Sequence, residues 1–190
     1  MTNIINQMID PGQGKILIAQ PFLNDGYFKR TVILLAEHNE YGSMGFIVNR
    51  PMNLKIKDVL PVFPDFKQPL FYGGPVAESQ LFFIHKEGER IKDALPIGNG
   101  YYWGGDFQDV VELLKENALD SNAIKFFVGY SGWEPQQMET EIQEKAWFIN
   151  HADYKNIMSE ETVDTWANEL KKLGTNYAVL ANFPEEPGLN

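Results

Sequence analysis

The chain has 190 residues, of which 44% are hydrophobic and 13% aromatic, so a disordered or fibrous composition is excluded. Its 26 Asp and Glu against 16 Lys and Arg give a formal charge of -10. This balance argues against binding to nucleic acid or to anionic membranes and favours protein partners. The absence of cysteine excludes disulfides, zinc–thiolate sites and cysteine nucleophiles.

The length predicts a single domain over 1–190, whose N-terminal extension 1–13 and tail 184–190 we expect to be mobile. Residues 1–10 carry no basic residue ahead of an apolar stretch, unlike a signal peptide. No apolar run approaches the roughly 18 residues that a transmembrane helix needs. We therefore expect a cytoplasmic protein.

The first half of the chain is rich in short apolar runs separated by turn residues, the pattern of an antiparallel sheet. A continuous apolar run over 32–36, a turn over 39–42 and a returning strand over 46–48 predict a hairpin, since so short a connection joins antiparallel neighbours. A short helix over 54–59 is predicted to end at Pro61. Further strands are predicted over 15–19, 70–72, 81–84 and 101–103.

The second half shows helical spacing. Asp106 can cap a helix whose apolar residues follow from Phe107 to Ala118, and Pro135 suits the first turn of another. The clearest helix is predicted to start after Ser159 and to end at Gly174, with an apolar stripe of Val163, Trp166, Ala167, Leu170 and Leu173. Runs at 124–130 and 177–181 predict strands. Strands early and helices late favour an α+β fold.

Gly129-Tyr130-Ser131-Gly132-Trp133 follows a predicted strand and precedes a helix, the context of a hydrolase nucleophile elbow. Trp133 occupies the position of the motif's last glycine, so a tight glycine turn is the better interpretation. Gly98, Gly100 and Gly104 resemble a dinucleotide fingerprint but lack its spacing and favour a hairpin. Gly73-Gly74 could bind an anion through backbone N–H groups, although turn chemistry explains the pair more simply.

Several polar residues are candidates for a ligand site. Arg50, which follows Asn49 at a strand end, could bind a carboxylate or phosphate, although an internal ion pair is the stronger expectation. Gln137 and Glu141 lie one helical turn apart, and Glu141 could instead pair with Lys145. His38, His85 and His151 are far apart in sequence, so neither a metal nor a cofactor is predicted, and each is expected to be exposed.

Several motifs in order resemble the YqgE/AlgH family. They are the runs 14–19 and 45–51, Gly73-Gly74-Pro75-Val76, and 129–133 with Gln137 and Glu139. Phe28, Val32, His38, His85 and Trp147 also match that pattern, which commonly has Ala at Ser131 and Gly at Glu134 and Gln136. The resemblance implies a bacterial α+β protein with a strongly coiled, largely antiparallel, barrel-like sheet flanked by helices. It brings a transcriptional-regulator label but no agreed catalytic residues or cofactor.

Two functions remain open from the sequence. The favoured one is a non-catalytic regulatory or protein-interaction role with protein partners. The alternative is a small-molecule-binding protein or an enzyme of unfamiliar class, because glycine turns lie beside an arginine and an aromatic residue, a combination suited to concave sites. The candidate pocket for that alternative is formed by Asn49, Arg50, Gly73, Gly74, Trp133, Gln137 and Glu141.

Overall fold

The computed structural model describes residues 9–183. The outer parts of the two ends predicted to be mobile, 1–8 and 184–190, lie outside this range. The strands are β1 (Lys15–Ala19), β2 (Val32–Asn39), β3 (Gly42–Ile47), β4 (Pro51–Lys55), β5 (Pro69–Tyr72), β6 (Val76–His85), β7 (Leu95–Gly98), β8 (Tyr101–Trp103), β9 (Ile124–Trp133) and β10 (Trp147–His151). The helices are α1 (Ile56–Val59), α2 (Phe107–Lys115), α3 (Gln137–Gln143), α4 (Tyr154–Met158), α5 (Thr165–Lys172) and α6 (Thr175–Ala181).

The strands form one large, mainly antiparallel sheet in the order β10-β1-β2-β3-β9-β6-β8-β7. Strand β5 pairs with β4 and runs parallel to β9, so β9 contacts three neighbours and is the centre of the sheet. The expected α+β class and the β2–β3 hairpin are confirmed. The barrel-like part of the expectation is only partly supported because the sheet is open. The Gln13 carboxamide bridges β2 and β7, donating to the Ala36 and Pro96 carbonyls at 2.9 and 2.7 Å.

Both faces of the central strands are covered, as their continuous apolar runs predict. Alternate residues of β2 enter two different clusters: Val32 and Leu34 pack in the largest one, whereas Ile33 and Leu35 pack in another. The largest cluster includes side chains of α4, α5 and α6. A second cluster joins β6 and β9 to α1 and α2, and a third holds Trp133, Met138 and Trp147.

One predicted element is wrong in type, and another is shorter than predicted. The run 177–181 is not a strand but lies in α6, where Tyr177 and Leu180 pack against the largest cluster. The predicted helix 54–59 is confirmed over Ile56–Val59, whereas Leu54 and Lys55 belong to β4, which pairs with β5 through Lys55. In both places tertiary packing overrides the local pattern.

The predicted start of the long C-terminal helix is also wrong. Ser159 caps the end of α4, and α5 begins only at Thr165. Val163 therefore lies outside the helix and is 98% exposed instead of joining its apolar stripe. The Ser159 carbonyl accepts a hydrogen bond from the buried Lys125 Nζ at 2.9 Å, which holds this segment in a turn.

The histidines do not all match their expected exposure. His85 is completely buried and stacks on Tyr102. Its Nδ1 accepts from the Glu87 N–H at 3.1 Å, so the neutral ring carries its proton on Nε2 and donates to the Gly104 carbonyl at 3.0 Å. Burial lowers the pKa of this imidazole, although the Gly104 bond and Glu87 oppose the shift. His85 is thus a neutral core residue.

Candidate functional site

The seven sequence-predicted site residues do not form one pocket. They occupy three places, namely the loop after β3, the turn between β5 and β6, and the contact between β9 and α3. Trp133, Gln137 and Glu141 are brought together at the last of these. The other four residues have separate structural roles.

Glu141 is the centre of the β9–α3 contact. Its Oε2 accepts the indole N–H groups of Trp133 and Trp147 at 2.9 and 2.7 Å, and its Oε1 accepts from Gln137 Nε2 at 2.9 Å. Phe28 packs against both indoles, with ring centroids 6.3 and 5.6 Å away. Three donors on one carboxylate fix α3 to β9 and β10. The predicted site carboxylate is therefore a structural anchor.

Asn49 and Arg50 hold the segment that precedes β2. The Asn49 side chain accepts from the Val32 N–H at 2.9 Å and donates to the Arg30 carbonyl at 3.0 Å. Arg50 Nη2 donates to the Lys29 carbonyl at 3.0 Å. Both side chains thus replace strand pairing with side-chain hydrogen bonds to the backbone of this loop.

Gly73 and Gly74 allow the β5–β6 turn to approach β9 closely. A Cβ at Gly73 would overlap the Gly129 carbonyl oxygen, and one at Gly74 would overlap Ser131 Oγ. Ser131 is buried inside β9 and donates to the Gly73 carbonyl at 3.0 Å. The nucleophile-elbow interpretation is excluded, because β9 continues to Trp133, which pairs with Ser43 of β3.

Gln136 is a position where this chain departs from the family pattern, yet its backbone conformation fits the residue that the pattern has there. Its φ of 68° lies in the left-handed region that favours glycine, the residue that the family pattern has there. This backbone conformation ends the extended segment after Trp133 and begins α3. The hydrogen bonds between Glu141 of α3 and Trp133 of β9 depend on this change of chain direction.

A groove of about 450 Å³ lies beside the Glu141 anchor, and we call it the β9 groove. Trp133 and Gln137 are the only sequence-predicted site residues among its lining residues. It is lined by Glu37, Asn39, Tyr41, Gly42, Ser43, Met44, Val76, Tyr130, Gly132, Trp133, Glu134 and Gln137. Within the described part of the chain, its lining combines aromatic and apolar side chains with two carboxylates and includes no lysine or arginine.

A serine and a histidine lie next to each other at the β9 groove. Ser43 Oγ is 2.7 Å from His38 Nδ1, and His38 Nε2 is 4.0 Å from Glu139 Oε1. Hydroxyl, imidazole and carboxylate are the components of a nucleophilic triad. Here His38 and Ser43 are cross-strand partners in the β2–β3 hairpin, which accounts for their contact. The carboxylate is beyond hydrogen-bond distance.

Lys125 was missed by sequence reasoning, although a lysine within the apolar run 124–128 was its signal. Its Nζ lies inside the core, donating to the carbonyls of Val48, Ile157 and Ser159 at 3.1, 2.7 and 2.9 Å. The Phe71 ring is 3.8 Å away. Burial lowers the pKa of Lys125 to about 7, while nearby Glu160 opposes this shift. With all three N–H bonds used internally, this lysine ties β9 to the end of α4.

Residues 9–183 contain neither a cluster suited to a metal ion nor a helix suited to crossing a membrane. No cluster of three or more His, Asp or Glu side chains there is arranged to hold a metal ion. No helix in that range has the length and apolar character needed to cross a bilayer.

The chain is similar to known proteins over most of its length. The family model described as AlgH-like matches residues 16–178. The chain belongs to the AlgH-like family. A UPF0301 protein of Chlorobium limicola is 40% identical over 98% of this chain and 100% of its own length. A UPF0301 protein of Cytophaga hutchinsonii is 41% identical over 94% of this chain and 98% of its own length.

Two solved structures resemble this AlgH-like chain. The solution structure of AlgH from Pseudomonas aeruginosa has a TM-score of 0.72 and 28% identity, covering 90% of this chain and 94% of that one. The crystal structure of protein DIP2367 from Corynebacterium diphtheriae has a TM-score of 0.79 at 24% identity. It covers 93% of this chain and 95% of its own and supports the fold alone. The expected YqgE/AlgH membership is thus confirmed.

Proposed function

We propose that this protein is a non-catalytic cytoplasmic protein that binds a protein partner through the β9 groove and acts by regulating it. The observation that carries the proposal is the exposure of Tyr41, which is 82% accessible at the rim of this groove. Tyrosine gives a large contact area at low conformational cost and is enriched at protein interfaces. A side chain placed in this way is available to a partner.

The rest of the β9 groove has the composition of an interaction surface. Val76 is also exposed, and Met44 and Tyr130 are partly buried beside it. Such a cluster gives a partner apolar area to bury. Glu37 and Glu134 line the same groove. The partner segment that fits is therefore apolar with a basic flank, in agreement with the charge of -10 on the whole chain.

The base of the groove is rigid. Trp133 contributes its wall and is held by Glu141, while Gln137 bonds both to that carboxylate and to the Glu134 N–H at 3.0 Å. A surface that is already ordered loses little conformational entropy on binding. The structural role of Glu141 therefore supports recognition at the adjoining groove.

Site-specific photo-cross-linking in the native host tests this proposal. A photoreactive phenylalanine replaces Tyr41 in one variant and Val62 in a control, because Val62 is 91% exposed but does not line the groove. We expect one discrete protein adduct from position 41 and none from position 62. The adduct is identified by mass spectrometry, and its binding is then measured with purified proteins.

The purified complex gives the decisive comparison. Tyr41→Asp should weaken binding at least tenfold, whereas Val62→Asp should leave it unchanged. Adducts of equal yield and identity from both positions would contradict the proposal. Equal affinities of the two aspartate variants would do so as well.

Small-molecule binding remains the second candidate, and the volume of about 450 Å³ favours it because that value suits a small ligand. This version of the site contains Trp133 and Gln137 but not Asn49, Arg50 or the two glycines. A thermal-shift screen with nucleotides, phosphates and carboxylates tests it, since a ligand at a hundred times its Kd stabilises by about 2.7 kcal/mol. A shift that Tyr41→Asp abolishes would replace the protein-partner proposal.

A further inference from the structure

A second concave surface lies on the side of the molecule formed by α4 and α5. We call it the acidic groove; its volume is about 500 Å³, and it lies between the turn 159–164 and α5. Its carboxylates are Glu160, Glu161, Asp164 and Glu169. Among residues 9–183, no lysine or arginine lines this groove. The groove therefore favours a positively charged occupant.

Glu169 gives a second and independent indication of an occupant. Its side chain is only 4% exposed, although it lines the groove. Oε1 accepts from Lys172 Nζ at 2.6 Å, whereas the buried Oε2 has no hydrogen-bond partner among the described residues. A buried carboxylate oxygen without a donor is costly. A ligand that brings an N–H group to Oε2 would remove that cost.

We propose that the acidic groove binds the guanidinium group of an arginine side chain from a protein partner. A guanidinium is planar, presents several donors in a fixed arrangement and is more weakly hydrated than an ammonium, so it enters a partly buried acidic site at lower cost. It can donate to Glu169 Oε2 while the remaining carboxylates neutralise its charge. A metal ion fits less well, because no three-ligand cluster exists among residues 9–183.

The rim of the acidic groove matches the stem of such a side chain. Val163 is 98% exposed and Pro51 is exposed on the β4 side. Arginine commonly buries its methylene groups on apolar surface while its charged head makes polar contacts. The exposed Val163, which the local sequence pattern predicts to be buried, can thus pack against these methylene groups.

The walls of the acidic groove are held in place without a ligand. Lys125 binds the carbonyls of Ile157 and Ser159 at the end of α4. On the other wall, Trp166 Nε1 donates to the Ala19 carbonyl at 2.8 Å and anchors α5 on β1. Pre-ordered walls lower the entropic cost of binding. The site therefore differs from a flexible acidic surface.

Nuclear magnetic resonance titration at low ionic strength tests this proposal. The probe is the blocked peptide acetyl-Gly-Arg-Gly-amide, and its matched control carries citrulline, which has nearly the same shape but no charge. We expect saturable shifts concentrated at 159–170 with the arginine peptide and none with the citrulline peptide. The lysine peptide should bind several-fold more weakly. Propylguanidinium, which has the same single charge as the arginine peptide, tests whether the groove prefers a free guanidinium compound to a protein side chain.

Variants separate the groove from the general acidity of the chain. Glu169→Gln should weaken arginine-peptide binding at least tenfold, and Glu144→Gln, which removes an exposed carboxylate just after α3, should leave it unchanged. If Glu169→Gln does not fold, the exposed pair Glu160→Gln/Glu161→Gln provides the same test and should also weaken binding. Equal binding of arginine and citrulline, or equal losses in the Glu144 and groove variants, would overturn the site. Tighter binding of propylguanidinium than of the peptide would overturn the protein partner.

Discussion

Trp133 and Trp147 donate their indole N–H groups to the same oxygen, Oε2 of Glu141, from two different strands. We expect Glu141→Ala to destabilise the protein by about 3 kcal/mol, because it leaves two buried indole donors unpaired. Urea unfolding followed by tryptophan fluorescence measures this loss. Glu144→Ala removes an exposed carboxylate at the C-cap of α3 and should change stability by less than about 0.5 kcal/mol. Equal effects of the two variants would show that the anchor contributes nothing.

Lys125 should give the protein a distinctive dependence on pH. Its pKa is lowered to about 7 in the folded chain from 10.5, so the unfolded chain binds more protons between these values. The free energy of unfolding should therefore rise with pH across this window, by about 1 kcal/mol per pH unit, relative to Lys125→Met. Urea titrations of both proteins from pH 7 to 9.5 measure the difference. Parallel pH profiles would contradict the lowered pKa.

Gly73 and Gly100 are glycines for two different physical reasons, namely close packing and backbone conformation. A Cβ at Gly73 would meet the Gly129 backbone, whereas at Gly100 it would meet no atom of residues 9–183, and the φ of 78° is what disfavours it. We expect Gly73→Ala to cost about 3 kcal/mol through overpacking and Gly100→Ala about 1 kcal/mol through backbone strain. Thermal and urea unfolding of both variants provide the comparison. The reverse order would mean that β5 and β9 can move apart freely.

Lys145 follows the C-terminus of α3 and has a backbone conformation that glycine adopts more readily. The Ala146 and Lys145 N–H groups donate to the Glu141 and Ile142 carbonyls, a Schellman arrangement, and the φ of Lys145 is 63°. Lys145→Gly should be more stable than Lys145→Ala by about 1 kcal/mol, since both lose the charge but only glycine relieves the strain. Calorimetric melting curves of the two variants measure this difference. A more stable alanine variant would contradict the assignment of strain.

Local sequence pattern predicted the sheet well because its strands carry their own signals. The apolar run of β2, the turn at Gly42 and the glycine hairpin at Gly98 are all present. It failed for α6, because a five-residue apolar run such as 177–181 has the same content in a strand or a helix. Only its packing against α5 decides between them.

The candidate site was predictable only where residues lie close in sequence. Gln137 and Glu141 are one helical turn apart, and Trp133 lies at the end of β9 shortly before their helix. The roles of Asn49 and Arg50 depend on a loop that lies about twenty residues earlier. Lys125 depends on carbonyls 32 to 77 residues away. Such contacts are set by topology, and no local pattern contains them.

The position of β1 in the sheet determines when the chain can finish folding. Its partner β10 pairs Lys15 with His151, and the Ala19 carbonyl receives its hydrogen bond from Trp166. A chain emerging from the ribosome has neither partner until most of it has been made. One side of β1 therefore stays unpaired during synthesis, and the apolar residues of this first strand are exposed to aggregation until the last quarter of the chain arrives.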